Sequence, residues 1–423
     1  MANDQIKQVL RKPRSVHFVS HQFINPLPDM NSTRIKDRIK TMFPCKWNGD
    51  FIKSIGSLFD SYLHFLSKEG CQTVIHEEID ETCKKIIDSV SSIFEGCHGD
   101  AFYTFSSLMN CPLNCQSSST GILSLSNSIQ IHESDYWYRA RNREEGKEFS
   151  VLDMFHIPLD KRGIVGTQRF SCPGYPCLYL SRSTYGCWEE LGRPVFDTLF
   201  YSSFRVRNSF RVLDLRIPDV DNYDDSQLIK ALKLLPLIIA CSFSVNNPKD
   251  VFKPEYIIPQ LLLETIIHNN HNKTKVEKTY LDEDIIWGIL YSSSHINNSF
   301  SFGSKCLDNI VMPIIETQNK NNYCSYLAST FDISTPTCYE YESIKDPLLK
   351  RQSFTSSSST PDEDSIHSYQ KTKMGYLESI MRTEEYKTLN HLVPFAPKEG
   401  IVLDPDGSPV EVPIRSNGPF TIE

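Results

Sequence analysis

The chain has 423 residues, 39% hydrophobic and 23% charged. This is the composition of a globular protein with room for two or three domains, and it excludes wholesale disorder. A formal charge of -8 argues against a general nucleic-acid-binding surface, which needs net positive charge to displace phosphate counterions.

No apolar run reaches the roughly 18 uncharged residues expected of a membrane-spanning helix. The best candidate, "LIKALKLLPLIIACSF" from Leu228, carries lysines and a proline. The first residues, "MANDQIKQVLRKPRSVHF", are basic without an apolar core and cleavage site, so no secretory signal is read there. A cytoplasmic protein is expected. Thirteen cysteines, an odd number with no export signal, argue against a disulfide framework. Neither "CPLNC" (Cys111, Cys115) nor "CPGYPC" (Cys172, Cys177) is followed by a second well-spaced pair, as structural zinc requires. No metal is expected, and the cysteines read as small packing groups.

In chain order, apolar residues recur first at Phe51, Ile55, Leu58, Tyr62 and Leu66, then at Ile75, Ile79, Ile86, Val90 and Ile93. That spacing predicts two helices, with Gly70 and Gly96 placed where helix ends use glycine. Residues 1–125 are therefore read as a small all-helical domain, ending in the Ser-rich connector "QSSSTGILSLSNSIQ". Residues 126–345 change character. The runs "DYWYRAR", "CLYLS", "SFRVLDL", "IWGILYSS" and "NIVMPIIET" read as strands, and "STYGCWEELG", "DSQLIKALKLLPLIIACSF" and "EYIIPQLLLETIIHN" as helices. The pattern is α+β without regular βαβ alternation. Residues 346–372 form a linker around the polar segment "RQSFTSSSSTPDEDS", and residues 373–423 a tail with one helix, "GYLESIMRTEEYKTL", and a turn at "DPDG". No Gly-x-Gly-x-x-Gly or Walker loop occurs, so Rossmann-type dinucleotide binding is not supported.

The residues that carry chemistry lie in or beside the apolar strands of the α+β section: Arg139 and Arg141 in "YWYRAR", Arg169 in "TQRFS", Tyr179 in "CLYLS", Glu190 in "CWEEL" and Ser293 in "LYSSS". Arginines, a tyrosine and a carboxylate together suit an anionic ligand with a ring to stack. Strand alternation puts Arg139 and Arg141 on one face, so the two compete for one role. Glu189 and Glu190 point about 100° apart on a helix; with Glu190 as the acid, Glu189 is expected at the surface. His156 in "MFHIP" reads as a packing or capping histidine, and Trp188 and Trp287 as core.

This order of motifs resembles the RES domain family, named for its Arg, Glu and Ser. The likeness runs from an Arg after an aromatic strand, through an Arg-aromatic-polar-x-Pro-Gly run into Tyr-Leu, to a helix with Glu and a late Gly-Ile-x-Tyr-x-Ser. It covers roughly Tyr136 to Ser294, and "PEYIIPQLLL" (Pro254 to Leu263) and the preceding helical region also resemble long members. The resemblance implies an ADP-ribosyltransferase-like fold that binds NAD as substrate, with no further cofactor, and breaks the nicotinamide–ribose bond by hydrolysis or phosphorolysis. Known RES proteins are toxins paired with a helix-turn-helix antitoxin, so such an antitoxin is an expected partner; membrane binding is not expected, and a homo-oligomer is left open. The alternatives are an ADP-ribosyltransferase acting on a macromolecule and a RES-like binding module without chemistry.

Carried over residue by residue, Arg139 matches the first family arginine, Arg169 the second, Tyr179 the tyrosine, Glu190 the acid and Ser293 the serine. Gln168 and Ser171 depart from the pattern, standing where Gly and Asn are common. The chemistry fits these roles. Arginine forks suit a pyrophosphate, and a tyrosine ring suits a flat nicotinamide cation. A fixed carboxylate stabilises the oxocarbenium charge that develops as the glycosidic bond breaks. A serine hydroxyl can hold the ribose or the amide.

Overall fold

The computed structural model of the chain describes residues 31–110, 121–123, 127–143, 149–277, 285–293, 307–315, 322–345, 369, 372–383, 387–388, 401–403 and 409–411. The linker from Arg351 to Ser365, the Cys111–Cys115 pair and the "DPDG" turn lie outside the described residues.

The chain begins with four helices: α1 (Ser32–Thr41), α2 (Phe51–Lys68), α3 (Thr73–Phe94) and α4 (His98–Met109). Asp50 starts α2 by accepting the Lys53 N–H at 3.0 Å, which satisfies one of the orphan donors of a helix start. The predicted apolar stripes are the buried ones: Phe51, Ile55, Tyr62 and Leu66 on α2, and Ile75, Ile79, Ile86 and Val90 on α3. Leu58 and Ile93 pack at their rim. Gly70 and Gly96 both take φ near +81°, the left-handed turn that ends a helix and that a side chain disfavours.

A mixed sheet of nine described strands follows. They are β1 (Ser128–Ile131), β2 (Tyr136–Asn142), β3 (Cys177–Ser181), β4 (Leu199–Val206), β5 (Phe210–Leu215), β6 (Ile286–Ser292), β7 (Asp308–Pro313), β8 (Phe331–Ile333) and β9 (Lys387–Thr388), in the order β1-β5-β6-β7-β3-β2-β4-β8-β9. Only β5 and β6 run parallel, and their crossover carries α6 (Asp225–Cys241) and α7 (Ile257–Glu277), the kind of long connection a parallel pair needs. The architecture is α+β, as the element pattern predicts. Four strands of this sheet were not among the predicted ones, and one of them, β9, lies in the segment read as the tail helix, which ends at Thr383. In β4, Ser202 and Ser203 interrupt the apolar run, yet both are wholly buried, because strand pairing and the Ser334 hydroxyl satisfy their backbone. The strand β8 is three residues long, and β1 lies in the Ser-rich connector.

Alternation along the strands divides the core in two. On one face Cys177, Leu213, Ile289 and Val311 meet α6 and α7, and the four N-terminal helices continue this core on its outer side. The Tyr62 hydroxyl donates to the Leu232 carbonyl at 3.0 Å, and Lys233 pairs with Glu78 at 2.5 Å. The opposite face buries Leu178, Leu180, Leu290, Ile310 and Met312. A third cluster joins α5 (Thr184–Glu190) and α8 (Lys373–Thr383) over Tyr138 and Tyr201. The apolar segment from Leu228 forms α6 and is buried in the core. Among the described residues no helix is long and apolar enough to cross a membrane.

Candidate active site

The centre of the sheet assembles the site, because β6, β7 and β3 are neighbours there. Register places Asn309 of β7 beside both Tyr291 of β6 and Ser181 of β3. Ser293 follows β6 directly and is held by its N–H bond to the Leu307 carbonyl at 3.0 Å. Its hydroxyl donates to Oε1 of Glu190 at 2.5 Å, and the Asn309 side-chain amide donates to the same oxygen at 2.7 Å. Ser293 and Asn309 are buried, while Glu190, the last residue of α5, stays exposed. The carboxylate is thus held by the fold on a residue that stays exposed. Two donors from the fold hold it oriented.

Arg169 reaches this cluster from the loop before β3. Its guanidinium donates to the Cys241 carbonyl at the C-terminal end of α6, 3.0 Å away, and lies over the Tyr256 ring at 5.4 Å. The partial negative charge of a helix end suits a cation there. Tyr256 and Tyr291 are both within electrostatic reach of Arg169 and of Glu190. Burial is the main cause that raises both phenols above the ordinary range, so both are neutral donors at pH 7. Tyr291 also packs its ring on Phe170 at 4.7 Å between centroids.

Tyr179 donates its hydroxyl to the Phe170 carbonyl, and so anchors the residue after Arg169. Burial pushes this phenol well above its usual range. Gln168 and Ser171 bond to one another. The Ser171 hydroxyl accepts the Gln168 N–H at 2.8 Å and donates to the Gln168 carbonyl at 2.9 Å, while the Gln260 amide donates to that carbonyl at 3.1 Å. Gln168 is not among the residues with positive φ; Gly174, further on, supplies the left-handed step at φ +72°. The loop therefore needs no glycine before Arg169.

Arg139 stands apart from this cluster. Its guanidinium donates to the carbonyls of Met154 and Phe155, the first at 3.2 Å, and Arg141 donates to the Asp153 carbonyl at 2.7 Å. Alternation does put both arginines on one side, against the same short turn. Removal from water, then the neighbouring Arg141 charge, lower the Arg139 pKa to about 10. Arg139 lies within electrostatic reach of Tyr179, and no carboxylate among the described residues pairs with it.

Glu189 is a correction. Instead of lying at the surface it is 3% exposed, because Arg193 folds back with φ +59° to bond its Oε2 at 2.8 Å. A paired carboxylate can be buried where a lone one cannot. His156 is 1% exposed. Its Nε2 accepts the Cys324 N–H at 2.9 Å, so Nδ1 carries the proton and donates to the Ile157 carbonyl at 2.8 Å. Cys172, Cys177 and Cys187 form no disulfide, and burial raises each thiol, Cys172 to about 12. Among the described residues no group of three or more His, Cys, Asp or Glu is placed to hold a metal ion.

Asn309, Tyr291 and Tyr256 were missed as site residues by sequence reasoning. Tyr291 belongs to the run that singles out Ser293, and Tyr256 to "PEYIIPQLLL", so both had a signal. Asn309 had none, because only the pairing of β7 with β3 and β6 brings it to Glu190.

Fold and site define a mixed α+β protein with an oriented carboxylate beside an arginine stacked on a tyrosine. The chain is similar to a protein of Bacillus subtilis (strain 168) named "Putative toxin YopC", at 37% identity over 273 residues, which cover 60% of this chain and 57% of that protein. The chain thus spans little more than half the length of that relative. No protein-family model and no solved structure matches it.

Proposed function

We propose that the chain is an NAD-consuming toxin that cleaves the bond between nicotinamide and ribose. The observation that carries this reading is the Glu190 carboxylate, held by Ser293 and Asn309 at 2.5 and 2.7 Å on a residue that stays exposed. A carboxylate so fixed pays its reorganisation before the reaction, and stabilises positive charge as it develops on a ribose. Arg169 on Tyr256 supplies a fork for the pyrophosphate. Arg139, a cation with no carboxylate partner among the described residues, supports the binding of an anionic ligand. The similarity to a protein named as a toxin supports the biological role.

In this mechanism nicotinamide leaves as a neutral group from a cationic ring, so no strong general acid is needed. Glu190 faces the sugar as the glycosidic bond breaks, and water or phosphate attacks the anomeric carbon. Incubation of the purified chain with NAD, followed by measurement of free nicotinamide, tests the reading. Release by the native chain and its loss in Glu190→Gln are the expected results; no release with either water or phosphate overturns it.

A further inference from the structure

A cavity of about 430 Å³ opens where the N-terminal helices meet the start of α7. One wall comes from α4 through Phe102, and another from the segment before α7 through Phe252 and Lys253. Tyr256 forms part of the same lining, and this is the ring beneath Arg169. Thr167, two residues before Arg169, also lines the cavity, and Gln260 ties the cavity wall to the arginine loop through its bond to Gln168. Tyr256, which lines the cavity, lies within electrostatic reach of both Arg169 and Glu190, so the cavity and the Glu190 site are neighbours.

We infer that this cavity binds the aminopurine nucleoside of a dinucleotide whose phosphates lie at Arg169 and whose other end reaches Glu190. The inference rests on the proposed NAD reading and adds the place of the distal half of the substrate. The lining suits such a ring. Phe102 and Phe252 offer aromatic surface for a base, and every base has a face that stacks. Glu264, at the cavity wall, can accept an exocyclic amine; partial burial raises its carboxyl above the ordinary range, with His268 and His98 opposing. Lys253 stands 5.8 Å from the Tyr256 ring centroid, beside the path of the phosphates. Phe252 is 52% exposed, with its ring in a T-shaped contact with Phe94 at 5.4 Å between centroids, so ring surface remains available. The N-terminal helices thereby become part of the substrate site.

Calorimetric titration of the full chain with adenosine diphosphate alone tests this. The native chain is expected to bind it, Phe102→Ala and Phe252→Ala each to weaken binding about tenfold, and Glu190→Gln to bind as the native chain does. Because Phe252 is exposed, its variant keeps the test valid if Phe102→Ala fails to fold. No binding by the native chain, or native affinity in Phe252→Ala, overturns the inference. Inosine diphosphate, which lacks the exocyclic amine, is expected to bind more weakly than adenosine diphosphate, and equal binding overturns the aminopurine assignment. The two readings separate cleanly. Adenosine diphosphate bound at this cavity without release of nicotinamide from NAD overturns only the reaction; release of nicotinamide with an unchanged KM for NAD in Phe252→Ala overturns only the cavity.

Discussion

Ser293 and Glu190 lie 103 positions apart in the chain and meet through a 2.5 Å hydrogen bond. The bond joins the end of a central strand to the last residue of a helix of only seven residues, so the sheet itself aims the carboxylate. Asn309, two residues into the neighbouring strand, completes the hold.

Loss of either donor should loosen Glu190 without unfolding the chain. Ser293→Ala is expected to lower kcat for nicotinamide release about tenfold or more, the worth of a hydrogen bond to a charged group. Asn309→Asp places a second carboxyl where an amide nitrogen now stands 2.7 Å away. Two carboxyls at that distance share a proton, so the acidic limb of the pH–rate profile should move upward. A profile identical to that of the native chain would show that Glu190 is not the reacting carboxylate.

Gly288 stands in β6 against the backbone of β7. A Cβ built there would meet the Val311 carbonyl oxygen at 2.1 Å, a contact that no side-chain adjustment relieves, and the two strands would have to part. Gly288→Ala is expected to destabilise the fold by more than about 2 kcal/mol and to displace Ser293. Urea denaturation measures the first effect. A midpoint equal to that of the native chain would contradict the close approach.

His156 makes stability depend on pH. Burial lowers its pKa from 6.5 to about 4, so between these values the unfolded chain takes up a proton that the folded chain refuses. Stability contributed above pH 6.5 is lost as pH falls through the folded value. The loss from this group is about 3 kcal/mol over the window. Denaturant midpoints between pH 7 and pH 4 should show a downward slope that is smaller in His156→Phe, a variant less stable overall because the Cys324 N–H loses its acceptor.

The loop before Arg169 depends on one hydroxyl. Ser171→Ala removes both bonds to Gln168 and leaves a backbone N–H without its partner, at a cost of about 1–3 kcal/mol. Because this loop carries Arg169, the KM for NAD should rise while kcat changes little. Ser171→Thr, which keeps the hydroxyl, should restore most of the affinity. Equal loss in both variants would point to packing rather than to the hydrogen bonds.

Much of the molecule was legible before any coordinates. Helical spacing from Phe51 to Ile93 named the faces that α2 and α3 bury, and β-branched and aromatic runs located β2, β3, β5, β6 and β7. Of the residues chosen from motif order, Glu190 and Ser293 bond to each other, Arg169 lies within electrostatic reach of the Tyr291 beside them, Tyr179 anchors the residue after Arg169, and Arg139 stands apart. Local pattern sufficed there because periodicity reports burial, and burial is what the core requires. Strand β4 escaped because its two serines look polar in sequence and become buried only when neighbouring strands satisfy their backbone. Glu189 misled for the same reason, since its burial depends on Arg193 turning back toward it.

The sequence by itself determined the α+β class and the helical start of the chain, and it named the residue types of a candidate site. It could not determine how those residues meet. Asn309 reaches Glu190, Ser171 replaces a glycine-dependent turn, and Tyr256 stands beneath Arg169 only because of strand register, loop closure and helix docking. Each of these is a contact between distant parts of the chain, and a periodic pattern records only which side of an element faces inward, not which partner waits there.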